Sequence, residues 1–172
     1  MKVLTGLAAA LVLVGCTTTK DSAMDSQVAA LTTCEKIDAL IEGHKKGFPK
    51  LRMTQSSVKL MDIWKARYHL VGDSCQVWGW GAGKFSYVCS LTEPNEQVAR
   101  EHYQLAVQKG KECLQQGWTL DEGGRAMGEG LKAEFTRPND ETVLTVVATS
   151  SPTLFKTEWK TYVFVGDPND LK

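Results

Sequence analysis

The chain predicts an α+β domain: an antiparallel β-sheet with two α-helices packed on one face, the order helix-then-meander repeated twice, and two disulfides. Three observations carry this expectation. Apolar residues recur at spacings of three and four over 27–46 and again over 95–116, the period of an amphipathic helix. Short runs between and after those stretches alternate apolar and polar residues, the period of a half-buried strand. Four cysteines, Cys34, Cys75, Cys89 and Cys113, lie in these same segments. Helices gathered on one side of an antiparallel sheet bury the apolar faces of both.

Before the domain the chain starts Met1-Lys2, runs through an apolar stretch from Val3 to Val14 interrupted by Thr5 and Gly6, and reaches Leu13-Val14-Gly15-Cys16. Spanning a bilayer takes roughly 20 apolar residues, so this stretch is too short; its basic start and small-residue exit are those of an export signal. The tetrapeptide Leu13-Val14-Gly15-Cys16 resembles the lipobox of bacterial lipoproteins. That resemblance implies that 1–15 is a signal peptide and that Cys16 is acylated, for example with palmitate, as the mature N-terminus. Since Thr17 rather than Asp follows Cys16, it also implies the inner leaflet of the outer membrane, with the domain facing the periplasm. Each buried methylene contributes about 0.8 kcal/mol, so several acyl chains hold firmly. The small polar residues of 16–26 suit a flexible tether. A single domain over 27–168 and a polar tail over 169–172 follow.

Twenty basic residues balance twenty acidic ones, which leaves no electrostatic footprint for nucleic acid. An even set of four cysteines in an oxidising compartment reads as two disulfides. In Cys75-Gln-Val-Trp-Gly-Trp-Gly-Ala-Gly-Lys-Phe-Ser-Tyr-Val-Cys89 two strand-like runs flank a Gly-Ala-Gly turn. Counting outward from Ala82 sets Trp80 opposite Lys84, Trp78 opposite Ser86 and Cys75 opposite Cys89, within disulfide reach. Cys34 and Cys113 are then left for each other, clasping the two helices. No Cys-x-x-Cys is present and no histidine stands at ligand spacing to a cysteine, so neither metal nor cofactor is expected.

In order along the chain, helix one is expected from Gln27 to Lys46, with Ala30, Cys34, Ile37, Ile41 and His44 on one side. Leu51 to Thr54 reads as a short extended piece and Gln55-Ser56-Ser57 as a loop. A strand over Leu60 to Leu70 and the stapled hairpin complete a three-strand meander. Thr92-Glu93-Pro94 reads as the start of helix two, which runs to about Gln116 and ends at Gly117. Its small residues Ala99, Ala106 and Gly110 admit a close neighbour. Then come a short strand at Trp118 to Leu120, a loop at Asp121 to Arg125, and strands over 131–136, 142–148 and 159–165. The order of elements in the second half echoes the first.

No Gly-x-Ser-x-Gly, His-Glu-x-x-His, Walker loop or dinucleotide fingerprint occurs. His44, His69 and His102 are scattered, and Asp121 and Glu122, being adjacent in an extended chain, point to opposite sides. The expectation is a protein that is not an enzyme. The aromatic residues say more. Trp78 and Trp80 share one face of the hairpin, and Cys75, Val77, Phe85, Tyr87 and Cys89 share the other. Because large aromatics are mostly buried, the two tryptophans are expected to face the helices as core. The alternative turns them outward beside Lys84 as a binding platform. The last strand carries apolar residues on both faces, which marks it as covered on both sides or awaiting a partner. The functional expectation is a lipid-anchored accessory subunit that binds another envelope protein. An inhibitor of a secreted toxin or wall-degrading enzyme, and a peptidoglycan or glycan binder using Trp78 and Trp80, are the alternatives.

Overall fold

The structure, a computed structural model, describes residues 17–168 apart from 59, 115, 126, 127, 154 and 155, with described side chains beginning at Ser22. The lipobox, Cys16 and the tail 169–172 lie outside the described residues. Contacts divide the chain into Met1–Ala30 and Leu31–Lys172.

In the first unit, the polar segment expected to be irregular is part of helix α1 (Thr17–Ala30). Its alanines, serines and threonines form no apolar stripe, and from Ser22 to Ala30 its side chains are exposed or half-exposed.

The second unit begins with a correction to helix one. The apolar period over 27–46 continues across Leu31-Thr32, but the helix does not. Thr32 caps a new helix, α2 (Thr33–His44), accepting from the Glu35 amide at 3.3 Å while its own amide donates to the Glu35 carboxylate at 2.7 Å. This Thr-x-x-Glu capping box satisfies two N–H groups that a continuous helix would bond internally.

Eight strands follow: β1 (Arg52–Val58), β2 (Met61–Ala66), β3 (Ser74–Gly81), β4 (Lys84–Glu93), and, after helix α3 (Glu96–Cys113), β5 (Thr119–Gly124), β6 (Gly130–Thr136), β7 (Val143–Pro152) and β8 (Thr157–Gly166). They form one antiparallel sheet in the order β1-β2-β3-β4-β8-β7-β6-β5. The expected strand 60–70 is shorter, and the first meander has four strands. The residues read as loops at 55–57 and 121–124 belong to β1 and β5, the two edges of the sheet. An edge strand pairs on one side only, and 54–58 and 121–124 are exposed, so their polar residues satisfy a strand that water bathes. Helix α3 is capped by Asn95, whose side chain accepts from the Val98 amide at 3.0 Å; Thr92 and Glu93 are the end of β4.

The hairpin register holds from Cys75↔Cys89 to Gly79↔Phe85 and then shifts, so that Gly81, not Trp80, pairs with Lys84. The turn is Ala82-Gly83, with φ of 51° and 76°. Positive φ at both central residues is the primed turn that matches strand twist, and Trp80 is the extra residue of a bulge. At the neighbouring β1–β2 turn Leu60 has φ of 75°, a left-handed conformation that costs a non-glycine residue about 1–2 kcal/mol.

Across the sheet, Val77 pairs with Tyr87, Tyr87 with Val165, Val165 with Leu144 and Leu144 with Phe135, so these side chains share a face. That face meets the helices: a Cβ on Gly110 of α3 would lie 2.6 Å from the Phe135 ring, and the Thr161 hydroxyl donates to the Ala99 carbonyl at 3.3 Å. The Tyr103 phenol donates to Glu122 at 3.3 Å from the same side. Cys34 and Cys113 join α2 to α3 with Cα atoms 4.9 Å apart, and Cys75 joins Cys89 at 4.0 Å. Within this core the Tyr87 hydroxyl donates to the Tyr68 carbonyl at 3.0 Å, and burial pushes its pKa up.

Alternation then decides the hairpin. Cys75, Val77, Tyr87 and Cys89 face the helices, so Trp78 does not, and Trp80, at the bulge, lies on the side of Trp78 by its contact with that ring and its bond to Ser86. The expectation that the tryptophans form core under the helices is overturned. Val77, Tyr87 and the Cys75–Cys89 disulfide occupy that side of the hairpin and are buried there.

Candidate functional site

The face of the sheet free of α2 and α3, its helix-free face, holds a second, smaller apolar cluster. Val88, Phe164 and Val143, from β4, β8 and β7, are its buried members, and Trp78 and Tyr162 pack against them half-buried. The sheet puts them there: Val88 pairs with Phe164, and Trp78 with Ser86, on the face opposite Cys89. Gly166 makes room, since a Cβ there would come within 2.6 Å of the Phe164 ring.

Trp80 stands beside Trp78 with ring centroids 5.4 Å apart and planes at 76°, an edge-to-face pair. Each indole N–H is used: Trp78 donates to the Gln76 side chain at 2.7 Å and Trp80 to the Ser86 hydroxyl at 3.0 Å. These bonds hold the rings as a fixed surface. Trp80 is 38% exposed, and Lys84, on the same face by alternation from Ser86, is exposed beside it. Lys65, Lys132 and Lys160 lie on this face by their pairing with Gln76, Val147 and Thr149. Lys132 pairs with Glu134 at 2.6 Å. A polar groove of about 470 Å³, lined by Thr54, Ser56, Ile63, Lys65 and Gln76, adjoins the tryptophans across β1–β3.

Of the expected site residues, Trp78, Trp80 and Lys84 are thus brought together, and the structure adds Tyr162, Phe164, Val88 and Val143. The two-faced apolar pattern of the last strand was the sequence signal for Tyr162 and Phe164. Nothing local announced Val88 and Val143, which become neighbours only through the β4–β8–β7 pairing.

A different cleft, about 250 Å³, opens between the helices and the sheet and is lined by Ile37, Leu91, Ala106, Val146 and Val163. His102 sits on its wall with Nδ1 2.8 Å from the buried Glu93 carboxylate, a contact that ties α3 to the end of β4. His44 Nδ1 lies 2.8 Å from the Thr142 hydroxyl, and His69 follows β2 on the surface. The histidines stay apart. Asp121 and Glu122 point to opposite faces, Glu122 toward Tyr103 and Lys111. Among the described residues no three of His, Cys, Asp and Glu are grouped to hold a metal ion.

One carboxylate is strongly perturbed. Burial alone would raise the Asp140 pKa, but bonds from Arg137, the Thr142 amide at 3.1 Å and Lys45 at 3.4 Å outweigh it and hold the group well below the usual carboxylate range. A folded-state pKa below the unfolded value of about 3.9 contributes stability present above that pH and lost as pH falls through the folded pKa. Asp140→Asn should therefore lower the melting temperature at pH 7 and flatten its decline between about pH 4 and pH 2. Thermal melts of both proteins across that range check it; parallel curves contradict it.

Comparison with protein-family models, curated proteins and solved structures finds no match to this chain.

Proposed function

We propose that the chain is a lipid-anchored binding protein of the outer membrane, acylated at Cys16, whose helix-free sheet face holds another protein of the envelope in the periplasm. The carrying observation is the position of Trp78, Trp80 and Tyr162 on the face of the sheet opposite α2 and α3, above their own small apolar base. Aromatic residues at the centre of a patch with a polar rim fit the composition of a protein interface. The two disulfides agree with an oxidising compartment. In this reading the site supplies surface rather than chemistry, and the two halves, α2 with β1–β4 and α3 with β5–β8, are one helix-then-meander unit used twice.

A glycan is a poorer fit. Trp78 and Trp80 stand at 76°, so one flat sugar face cannot stack on both rings at once.

The test is capture of crosslinked protein from envelopes with tagged wild type, Trp78→Ala and Tyr162→Ala. Loss of a hot-spot aromatic costs about 2 kcal/mol or more, so each variant should recover the partner at least about tenfold less well with its melting transition retained. Equal recovery with Tyr162→Ala would end this reading.

A further inference from the structure

We propose that the end of the sheet formed by the β1–β2 and β3–β4 turns dips into a lipid bilayer surface, with Val58, Leu60 and Trp80 as its apolar contacts. Four large hydrophobic residues are exposed among the described ones: Val58 at 51%, Leu60 at 91%, Trp80 at 38% and Leu105 at 61%. Three of the four stand at this one end. Val58 pairs with Met61, and Asp62 with Gly79, so Val58, Met61 and Trp80 form a row across three strands on the helix-free face. Leu60 projects from the turn beyond them.

A turn with a left-handed residue ordinarily carries glycine or asparagine there. Leu60 adopts that conformation with its side chain in water, an unfavourable choice on both counts. Strain and apolar exposure coinciding at one protruding residue point to contact with something apolar. Charge says what it is. Among the described residues, Val58, Leu60 and Met61 carry no charge and Trp80-Gly-Ala-Gly-Lys84 carries one lysine, with Glu141 and Asp167 lining the pocket beside Gly83 and Lys84. Just inside, Asp62 is engaged by Gln55 at 3.1 Å and Ser57 at 2.9 Å. Leucine and tryptophan beside lysine suit the bilayer interface, where indole rests at headgroup depth and ammonium reaches the phosphates.

This contact does not depend on the protein-binding reading, because Val58 and Leu60 lie outside the aromatic cluster. Trp80 borders both and serves as reporter. The full-length protein, purified as cells make it, is mixed with vesicles of phosphatidylethanolamine and phosphatidylglycerol with and without brominated acyl chains. Bromine should quench part of the tryptophan emission; Trp80→Phe should lose most of that quenching, and Val58→Ser with Leu60→Ser should lose it with an unchanged circular dichroism spectrum. All variants share one N-terminus, so failure or success of the acyl anchor cannot imitate the result. Quenching that is equal in wild type and Trp80→Phe overturns the proposal. So does loss of a crosslinked protein from the Leu60→Ser variant when the wild type shows no quenching, because the turns would then hold a protein.

Discussion

Replacing Cys34 and Cys113 together by serine is expected to lower stability by about 4.5 kcal/mol, the chain-entropy value for a loop of this length. The bond closes the chain over a separation of 79 residues, enclosing the whole first meander. Cys75–Cys89 closes only 14 and should contribute about 3 kcal/mol by the same relation. A domain of this size has about 5–15 kcal/mol in all, so loss of the longer bond removes a large share of it. The bond also fixes the end of α3 to the start of α2, and its loss should free the helices before the sheet. Denaturant titrations of the two double-serine variants give the magnitudes. A larger loss from the Cys75–Cys89 pair would contradict the assignment of the helix clasp.

Gly110→Val is expected to be destabilising by about 2–3 kcal/mol, the upper part of the range for overpacking. Any Cβ at this position meets the Phe135 ring at 2.6 Å, and that ring is itself buried under α3. Valine adds two methyl groups to the collision and gains little helix propensity. Gly110→Ala should be milder, since alanine returns about 1 kcal/mol of propensity against the same contact. Because the cost lies in one pair of residues, Phe135→Leu should relieve part of it, giving a coupling energy in a double-mutant cycle. Additive losses would mean that Gly110 matters for another reason.

The interior of this fold was legible in the sequence and its margins were not. Stapled strands β3 and β4 follow from period-two alternation and two cysteines at matching distance from a glycine turn. The register at Cys75 and Cys89 is the one counted from Ala82, and only the bulge at Trp80 departs from it. A bulge inserts a residue without changing composition, so counting cannot see it. The edge strands β1 and β5 are legible only at their starts, over Leu51 to Thr54 and Trp118 to Leu120, and read as loops beyond because water, not a core, surrounds Gln55-Ser56-Ser57 and Asp121-Glu122. Hydrophobic period is a signal of burial, and these residues are not buried. The break at Thr32 was present as a Thr-x-x-Glu box but masked by apolar residues spaced regularly on both sides of it.

The candidate site was half legible. Trp78 and Trp80 share a face by simple alternation, but which face the helices cover depends on where α2 and α3 dock, a long-range fact. General burial preference pointed the wrong way, because the helix side of the hairpin was already filled by Val77, Tyr87 and a disulfide.

The most direct test places a photocrosslinking residue at Tyr162, on the helix-free face, and another at Leu105, exposed on α3, in cells making the full-length protein. A discrete protein adduct from position 162 and none from position 105 is the predicted result. Adducts from position 105 alone, or from neither, would contradict a partner seated on the Trp78 face.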